Sequence, residues 1–159
     1  MKMKKTDEYF LNLAIEEAIK GARNLGGPFG ALIVLNGEVI ASGYNTVTRV
    51  HDPTAHAEIN VIRETAARLN THDLSGTVLY TSCEPCPMCL SAAYWAHIDR
   101  IVYAATRHDA ANAGFIDEDL YRELALPKGQ RKINHAQINM KDALRPFREW
   151  NENPEKISY

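Results

Sequence analysis

Three cysteines lie within one short stretch, TSCEPCPMC, and the 159-residue chain has no others. Two of them, Cys86 and Cys89, are three residues apart and come after Pro85, at the expected start of a helix. This spacing places both sulfurs on one helix face. The free N–H groups at a helix start favour the thiolate form, which binds metal. Two thiolates do not hold a zinc ion by themselves, so a metal site needs a further ligand from elsewhere in the chain.

The segment DPTAHAEI supplies that ligand, His56, and a carboxylate, Glu58. With Cys86 and Cys89 the histidine makes three protein ligands, and catalytic zinc sites typically have three whereas structural sites close with four. In a regular helix Glu58 is rotated roughly 200° from His56, so the two side chains converge only if the metal lies near the helix end. There the carboxylate can take a proton from zinc-activated water. We therefore predict one catalytic Zn²⁺ per chain, held by His56, Cys86 and Cys89, with Glu58 as the proton carrier.

Two other uses of the cysteines are less favoured. Disulfides are rare in the cytoplasm, where we expect this protein, and three is an odd number of cysteines. Cys83 would close a structural zinc site as a fourth ligand, but it precedes the helix, so we expect a small packed side chain there. The remaining histidines share no ligand spacing and are expected on the surface or in packing; they are His51, His72, His97, His108 and His135.

Composition indicates a single globular domain without a nucleic-acid or membrane partner. Hydrophobic residues make up 45% and charged residues 24% of the chain, and the formal net charge is -2. No broad basic surface is therefore expected, and the best basic cluster is the short KGQRK at residues 128–132. The lysine-rich start runs into Thr6-Asp7-Glu8 rather than an apolar stretch, which argues against a secretion signal. We expect a cytoplasmic protein.

Hydrophobic periodicity predicts helices alternating with strands. A helix is expected over residues 7–24, opened by Thr6 or Asp7, and Asn36-Gly37 predicts a hairpin between two short strands. The remaining predicted elements are a helix over 55–70 capped by Thr54, a buried strand over 76–82, a helix over 86–96, a strand over 100–105, and in the tail a helix over 120–126, a strand INHAQINM and a short helix PFREW. This order predicts a mixed sheet with helices on both faces.

The two chemical motifs together resemble a known family. H-x-E followed by P-C-x-x-C is the signature of zinc-dependent nucleobase deaminases, here His56 to Glu58 and Pro85 to Cys89. With GGPFGALIV, DPTAHAEI, LYTSCEPCPMC, YWA, DAANAGFID and a terminal Tyr, the chain resembles the cytidine-deaminase-like superfamily and, within it, the bacterial guanine deaminases. The resemblance runs from about residue 10 to residue 159. It implies a three-layer αβα sandwich with a five-stranded mixed sheet, and a homodimer in which a segment of about residues 118–159 packs on, or exchanges with, the partner subunit.

The resemblance also implies the residues that contact a purine base. Asn45 matches a base-binding asparagine, Phe29 an aromatic side chain that packs on the ring, and Asp117 and Tyr159 polar contacts from the C-terminal part. Ala57 is assigned to the same substrate-binding set. Simpler roles stand beside these: Asn45 as a turn residue, Phe29 in plain packing, Asp117 as a helix cap, and Tyr159 as a frayed end.

The resemblance implies hydrolytic deamination of guanine to xanthine and ammonia, in purine catabolism or salvage. The same chemistry on guanosine, cytosine or adenosine in tRNA is one alternative, and whether a ribose fits stays open. A zinc-stabilised binding module without catalysis is another. Glu58 argues against that module, because a purely structural zinc site has no use for a carboxylate beside the metal.

Overall fold

A four-stranded mixed sheet with strand order β2-β1-β3-β4 lies at the centre of the fold. The structure is a computed structural model that describes residues 5–159. Its chain divides into two compact units, the first ending at Tyr121 and the second running from Arg122 to Tyr159. The elements are α1 Asp7–Arg23, β1 Gly30–Leu35, β2 Glu38–Tyr44, α2 Val47–Val50, α3 Ala57–Leu69, β3 Thr77–Cys83, α4 Pro87–Trp95, β4 Arg100–Ala105, α5 Arg107–Asn112, α6 Asp117–Ala125, a 3₁₀ turn Lys128–Gln130, and α7 Arg145–Glu152.

Strand β1 organises the sheet because it pairs on both edges. It runs antiparallel to β2 through the predicted turn, where Asn36 and Gly37 both have positive φ, and antiparallel to β3. β3 and β4 are parallel, as expected for strands joined by a helix. The prediction of a mixed sheet is thereby confirmed.

The prediction of five strands is wrong for the described chain, which has four. The segment INHAQINM at residues 133–140 forms no strand. It belongs to the second unit, in which the described residues contain no strand to pair with it. Alternating apolar residues alone do not make a strand, because backbone N–H and C=O groups need a neighbouring strand as partner.

The two faces of β1 contact different helices, which gives the three layers. Leu32 and Val34 pack with Phe10 and Ala14 of α1. Alternate residues such as Ile33 point to the opposite face, which packs against residues of α3 and α4. Because both faces of β1 are covered by helices, its sequence is a continuous apolar run and does not alternate between apolar and polar residues.

Of the two predicted helix caps, the one for α1 is confirmed and the one for α3, the helix beside the predicted metal site, is wrong. Thr6 caps α1 as expected, its hydroxyl accepting from the Tyr9 N–H at 3.3 Å. Thr54, however, is not the cap of α3: the helix begins at Ala57 and His56 is the N-cap, with φ -66° and ψ 157°. The Thr54 amide and hydroxyl instead both donate to one carboxylate oxygen of Asp52, at 2.8 and 2.7 Å. This local turn satisfies the threonine before the helix starts.

The second unit buries none of its described residues within one chain. Its turns are held by local bonds, such as those from the Arg131 guanidinium to the Leu124 and Leu126 carbonyls, both at 3.0 Å. Many large apolar side chains stay exposed; they are Leu124, Ile133, Ile138, Met140, Leu144, Phe147, Trp150, Ile157 and Tyr159. Across residues 5–159, no helix combines the length and apolar character needed to cross a membrane.

The close approach of α1 to β1 predicts a large effect of one methyl group. A Cβ at Gly30 would lie 2.2 Å from the Ala14 carbonyl oxygen and 2.4 Å from the Ala18 nitrogen, both backbone atoms that cannot rotate away. We expect Gly30→Ala to lower the free energy of unfolding by about 1–3 kcal/mol and the melting temperature by several degrees. Thermal denaturation followed by circular dichroism measures it.

Gly43→Ala is the matched control, since its Cβ would meet only Val61 Cγ1, at an ordinary 3.9 Å. Equal melting temperatures for the two variants would contradict this account of how α1 packs on the sheet.

Candidate metal centre and active-site cavity

Three donor atoms converge where α3 and α4 begin. His56 Nδ1 lies 3.6 Å from Cys86 Sγ and 3.5 Å from Cys89 Sγ, and the two sulfurs are 3.6 Å apart. Cys86 occupies the same position as His56, the N-cap of its helix, with φ -66° and ψ 167°, and Pro87 is the first helical residue. Cys89 lies within the first turn of α4. The structure therefore brings together all three predicted ligands.

The spacing of these atoms fits a tetrahedral zinc ion. Zn–S bonds of about 2.3 Å and Zn–N bonds of about 2.0–2.1 Å, at tetrahedral angles, separate two sulfurs by roughly 3.8 Å and a sulfur from a nitrogen by roughly 3.6 Å. The observed separations, 3.5 and 3.6 Å, agree with both values. The donor set of one imidazole and two thiols is also of the kind that zinc prefers.

The electrostatics of the cluster favour a bound cation. Hydrogen bonds from Cys89 and His56 lower the pKa of Cys86 to about 4, against the penalty of burial. The hydrogen bond to Cys86, together with burial, raises the pKa of Cys89, while the bond to Cys86 raises the pKa of His56. The Cys86 thiolate thus accepts hydrogen bonds from Cys89 and His56. A divalent cation can replace the protons in those bonds.

Cys83 does not join this cluster. It ends β3, is buried, and its thiol donates to the Thr106 carbonyl at 3.4 Å. Burial raises its pKa to about 11. All three cysteines are free thiols, and the described His, Cys, Asp and Glu side chains that can share a metal here are three rather than four. A three-ligand site leaves a coordination position open.

Glu58 is buried beside the ligands. Its Oε1 accepts from the Thr81 hydroxyl at 3.3 Å, and Cys89 Sγ lies 3.5 Å from its Oε2. Burial raises the pKa of this carboxyl above its ordinary value. Because His56 has extended backbone angles and stands outside the helix, the rotation expected of a regular helix does not separate the two side chains.

A cavity of about 600 Å³ opens onto the ligands. His56, Glu58 and Cys86 lie at one side of it, and Phe29, Asn45 and Asp117 line it as well. Ala57 instead is fully buried in the core beneath, and Tyr159 belongs to the second unit, where its ring contacts Trp150 edge-on at 6.5 Å. The volume is within the range of about 300–1,000 Å³ found for small-molecule sites.

Asn45 is held so that one end of its amide faces the cavity. Its backbone N–H donates to the Phe29 carbonyl at 2.9 Å, and its carbonyl accepts from Gly27 at 3.3 Å. Its Oδ1 accepts from the Val47 N–H at 3.2 Å, so the side chain does make a local turn. In the described part of the chain, its Nδ2 group has no hydrogen-bond partner and is available to donate to a ligand.

Two aromatic rings and one acidic residue form another part of the cavity wall. Phe29 and Phe115 meet edge to face with centroids 4.7 Å apart. Asp117 is the first residue of α6, and burial raises its pKa. Phe115 is a site residue that the sequence did not predict; the only signal for it was its place in the motif DAANAGFID.

A further group that the sequence did not predict holds the Cys86 turn in place. The Tyr121 hydroxyl donates to the Pro85 carbonyl at 2.9 Å, and the Arg107 guanidinium lies over the Tyr121 ring at 4.7 Å. Glu84 accepts from the Arg107 N–H at 3.0 Å and also lines the cavity. The two hydrogen bonds join residues more than twenty positions apart, so no local spacing indicates them.

A mixed sheet with a His-Cys-Cys zinc cluster and a buried glutamate at two helix starts defines a zinc-dependent deaminase domain. Residues 4–105 match the family model described as the cytidine and deoxycytidylate deaminase zinc-binding region. The chain belongs to this family.

Its relatives include both base and tRNA deaminases. The guanine deaminase of Bacillus subtilis is 46% identical over 96% of this chain and 98% of that protein. Its crystal structure, at 45% identity, superposes with a TM-score of 0.95 and covers 98% of this chain and 99% of its own. A guanine deaminase structure from Nitrosomonas europaea, 33% identical, gives a TM-score of 0.67 over 81% of this chain and 69% of its own. The tRNA-specific adenosine deaminase of Aquifex aeolicus is 43% identical over 62% of this chain and 65% of that protein.

The ligand geometry predicts that the cysteines have separable roles. Cys89→Ser should lose its zinc, because the hard hydroxyl replaces one of two thiolates in a three-ligand site. Cys83→Ser should keep about one zinc per chain and most of its activity, since that side chain lies outside the ligand cluster and donates to the Thr106 carbonyl. Metal analysis of the dialysed proteins measures both. Retention of zinc in Cys89→Ser with loss in Cys83→Ser would reverse the assignment.

Proposed function

We propose that this protein deaminates guanine hydrolytically, converting guanine and water to xanthine and ammonia. The observation that carries the proposal is the similarity to the guanine deaminase of Bacillus subtilis over nearly the full length of both chains. The similarity to the Aquifex aeolicus tRNA deaminase ends after 98 residues. A cavity beside the metal cluster that is large enough to admit a purine base is compatible with the same reaction.

The zinc supplies one part of the chemistry when bound: it lowers the pKa of a coordinated water to about 7, making a nucleophile at neutral pH. His56, Cys86 and Cys89 would hold it. Glu58 takes one proton from the attacking water and delivers it to the ring nitrogen. It then takes the second proton, from the hydroxyl of the adduct, and delivers it to the departing amine as the C–N bond breaks. The carboxyl is suited to this shuttle because burial raises its pKa above the ordinary value, and because Thr81 fixes one of its oxygens.

Recognition of the base falls to residues around the cavity. The Asn45 Nδ2 group is free to donate to an acceptor on the purine edge, and the Phe29 ring can pack on a purine face. Asp117, at the start of α6, offers an acceptor for a ring N–H or amino group. Ala57 contributes through its backbone, since its side chain is buried in the core. Tyr159 would add a further polar contact.

The same machinery acting on another substrate is the second candidate. Adenosine in tRNA is favoured by the sequence similarity of about two thirds of the chain to tRNA deaminases. A net charge of -2 argues against it, because binding an RNA backbone requires concentrated positive charge. A zinc-binding module without catalysis would leave the buried carboxylate of Glu58 beside the metal unexplained.

Ammonia release from guanine, guanosine, cytosine and adenine tests the substrate, and Glu58→Gln tests the mechanism. We expect guanine to be turned over fastest. Glu58→Gln should keep its zinc and fold while losing at least about 10²–10⁴-fold in kcat, the usual contribution of general acid–base catalysis. The amide keeps the side chain's size but cannot carry the proton. Near-normal turnover by this variant, or faster release from another base, would contradict the proposal.

We propose further that the protein works as a homodimer whose C-terminal segment, about residues 118–159, packs on or exchanges with the partner subunit. Support comes from the second unit, whose described residues bury nothing within one chain and include exposed Phe147 and Trp150 on one helix. Apolar side chains in such number are typical of a surface covered by another chain. A second copy is the occupant we propose.

Deleting residues 157–159 should separate the role of the tail from that of the zinc site. We expect the truncated protein to retain zinc and to sediment, like the full chain, at twice 17.8 kDa. Its kcat/KM for guanine should fall at least about tenfold, because a contact made to the bound base is lost. Tyr159→Phe, which keeps the ring and removes the hydroxyl, shows how much of that loss is the hydrogen bond. Unchanged kcat/KM after truncation would rule out a substrate role for the tail.

A further inference from the structure

The side chain of Asn60 joins two chain segments that carry functional residues, although it does not itself line the cavity. Its Nδ2 lies 3.0 Å from the Tyr44 carbonyl, 3.0 Å from the Thr46 hydroxyl oxygen and 3.3 Å from the Ala55 carbonyl. All three atoms can accept, and the amide has two hydrogens to donate. Asn60 is half-buried, which strengthens these bonds relative to exposed ones.

Two of these acceptors flank Asn45. Strand β2 ends at Tyr44, where its pairing with Gly30 is the last register contact. Beyond that point the sheet no longer holds the chain, and the Asn45 backbone depends on single bonds to Phe29 and Gly27. The bonds from Asn60 to the residues before and after Asn45 add a restraint from α3 on both sides of that residue.

The third acceptor, the Ala55 carbonyl, links the Asn45 segment to the metal cluster. Ala55 directly precedes His56, and its carbonyl also accepts from the Thr46 N–H at 2.9 Å. The backbone N–H of Asn60 donates to the His56 carbonyl at 2.9 Å, as the first hydrogen bond of α3. The Asn60 side chain and the Thr46–Ala55 backbone bond therefore hold the Asn45 segment together against the segment that presents His56.

We infer that Asn60 is a positioning residue for substrate recognition, which holds Asn45 at the orientation needed to donate to the base. The inference rests on the proposed function, since it takes Asn45 as a base-binding residue. The neutral amide of Asn60 meets the geometry because it presents donor hydrogens to a cluster of acceptors. Aspartate has the same size but would place acceptors against acceptors, and alanine reaches none of them.

The segment that carries His56 depends less on the Asn60 side-chain amide than the segment that carries Asn45 does. The bond from the Asn60 backbone to His56 survives any substitution of the side chain, so the metal cluster keeps its helix start. Loss of the side chain should therefore loosen the Asn45 segment while zinc stays bound. The predicted signature is weaker substrate binding with little change in the chemical step.

Asn60→Ala and Asn60→Asp, both as zinc-loaded proteins, test the inference. We expect amide hydrogen exchange over residues 45–47 to become at least about tenfold faster in both variants, with zinc content unchanged, because local opening then needs fewer bonds to break. KM for guanine should rise about tenfold, while kcat changes by less than about threefold. A purely packing role would leave Asn60→Asp, which has the same volume, close to wild type.

Val61→Ala is the matched control on the same helix. Val61 is fully buried in the core and its apolar side chain makes no hydrogen bond to the Asn45 segment, so this variant should lose stability while its KM stays near wild type. A rise of KM in Val61→Ala equal to that in Asn60→Ala would overturn the inference, because general destabilisation would then explain it.

A double-mutant cycle separates this inference from the proposed function. If Asn60 acts through Asn45, then Asn60→Ala should add less than about twofold to KM in an Asn45→Ala background. Full additivity, or unchanged exchange at residues 45–47 in Asn60→Ala, would overturn the positioning role whichever substrate is used. Should wild type release ammonia from another base and none from guanine, the proposed substrate fails, and the cycle measured on that other base decides the role of Asn60.

Discussion

The site depends on two residues that stand just outside their helices. His56 and Cys86 both have extended backbone angles at an N-cap, so each side chain turns back across the first turn of its helix instead of following the helical spiral. Strands β1 and β3 bring α3 and α4 together on one face of the sheet, where Ile59 packs against Cys86 and Cys89. Unpaired N–H groups of both first turns then point towards the same small volume. The positive ends of both helix dipoles favour negative charge there, as at the Cys86 thiolate, whose pKa is lowered.

This arrangement explains why a charged side chain is buried beside the cluster. Glu58 lies in the first turn of α3, where helix dipole and free N–H groups partly offset the cost of removing it from water. Burial still raises its pKa above the ordinary value, which suits the proton transfer that we propose for this group. The Thr81 hydroxyl fixes the carboxylate from the sheet side. The Glu58 side chain is therefore held from both sides, by the first turn of α3 and by Thr81 of β3.

The metal ligands are predictable from the sequence because their chemistry is local, whereas long-range contacts leave no such signal. The three-residue spacing of Cys86 and Cys89, and His56 two before Glu58, are visible in short motifs. Capping rules favour Thr54 at the start of α3 because they weigh hydroxyl side chains, yet here Asp52 already binds that hydroxyl. The fifth strand rested on resemblance and alternation, neither of which supplies a pairing partner. Asn60 gave no signal, since its acceptors lie up to 16 residues away.

Chemistry and specificity are encoded in different stretches of the chain. The family match ends at residue 105 and already contains the three metal ligands, Glu58 and Asn45. Further cavity-lining residues lie beyond it; they are Phe115, Ile116, Asp117 and Leu120. A domain that carries the reaction on any aminated base can therefore acquire a new substrate through changes in the chain after β4, without disturbing the zinc. The similarity to a tRNA deaminase covers 62% of the chain, whereas the similarity to a guanine deaminase covers 96%. This difference is expected if relatives with different substrates share the zinc-binding part and differ in the rest. Under the proposed function, substrate choice should accordingly depend on residues after position 105 together with Phe29 and Asn45, the proposed base contacts that lie before it.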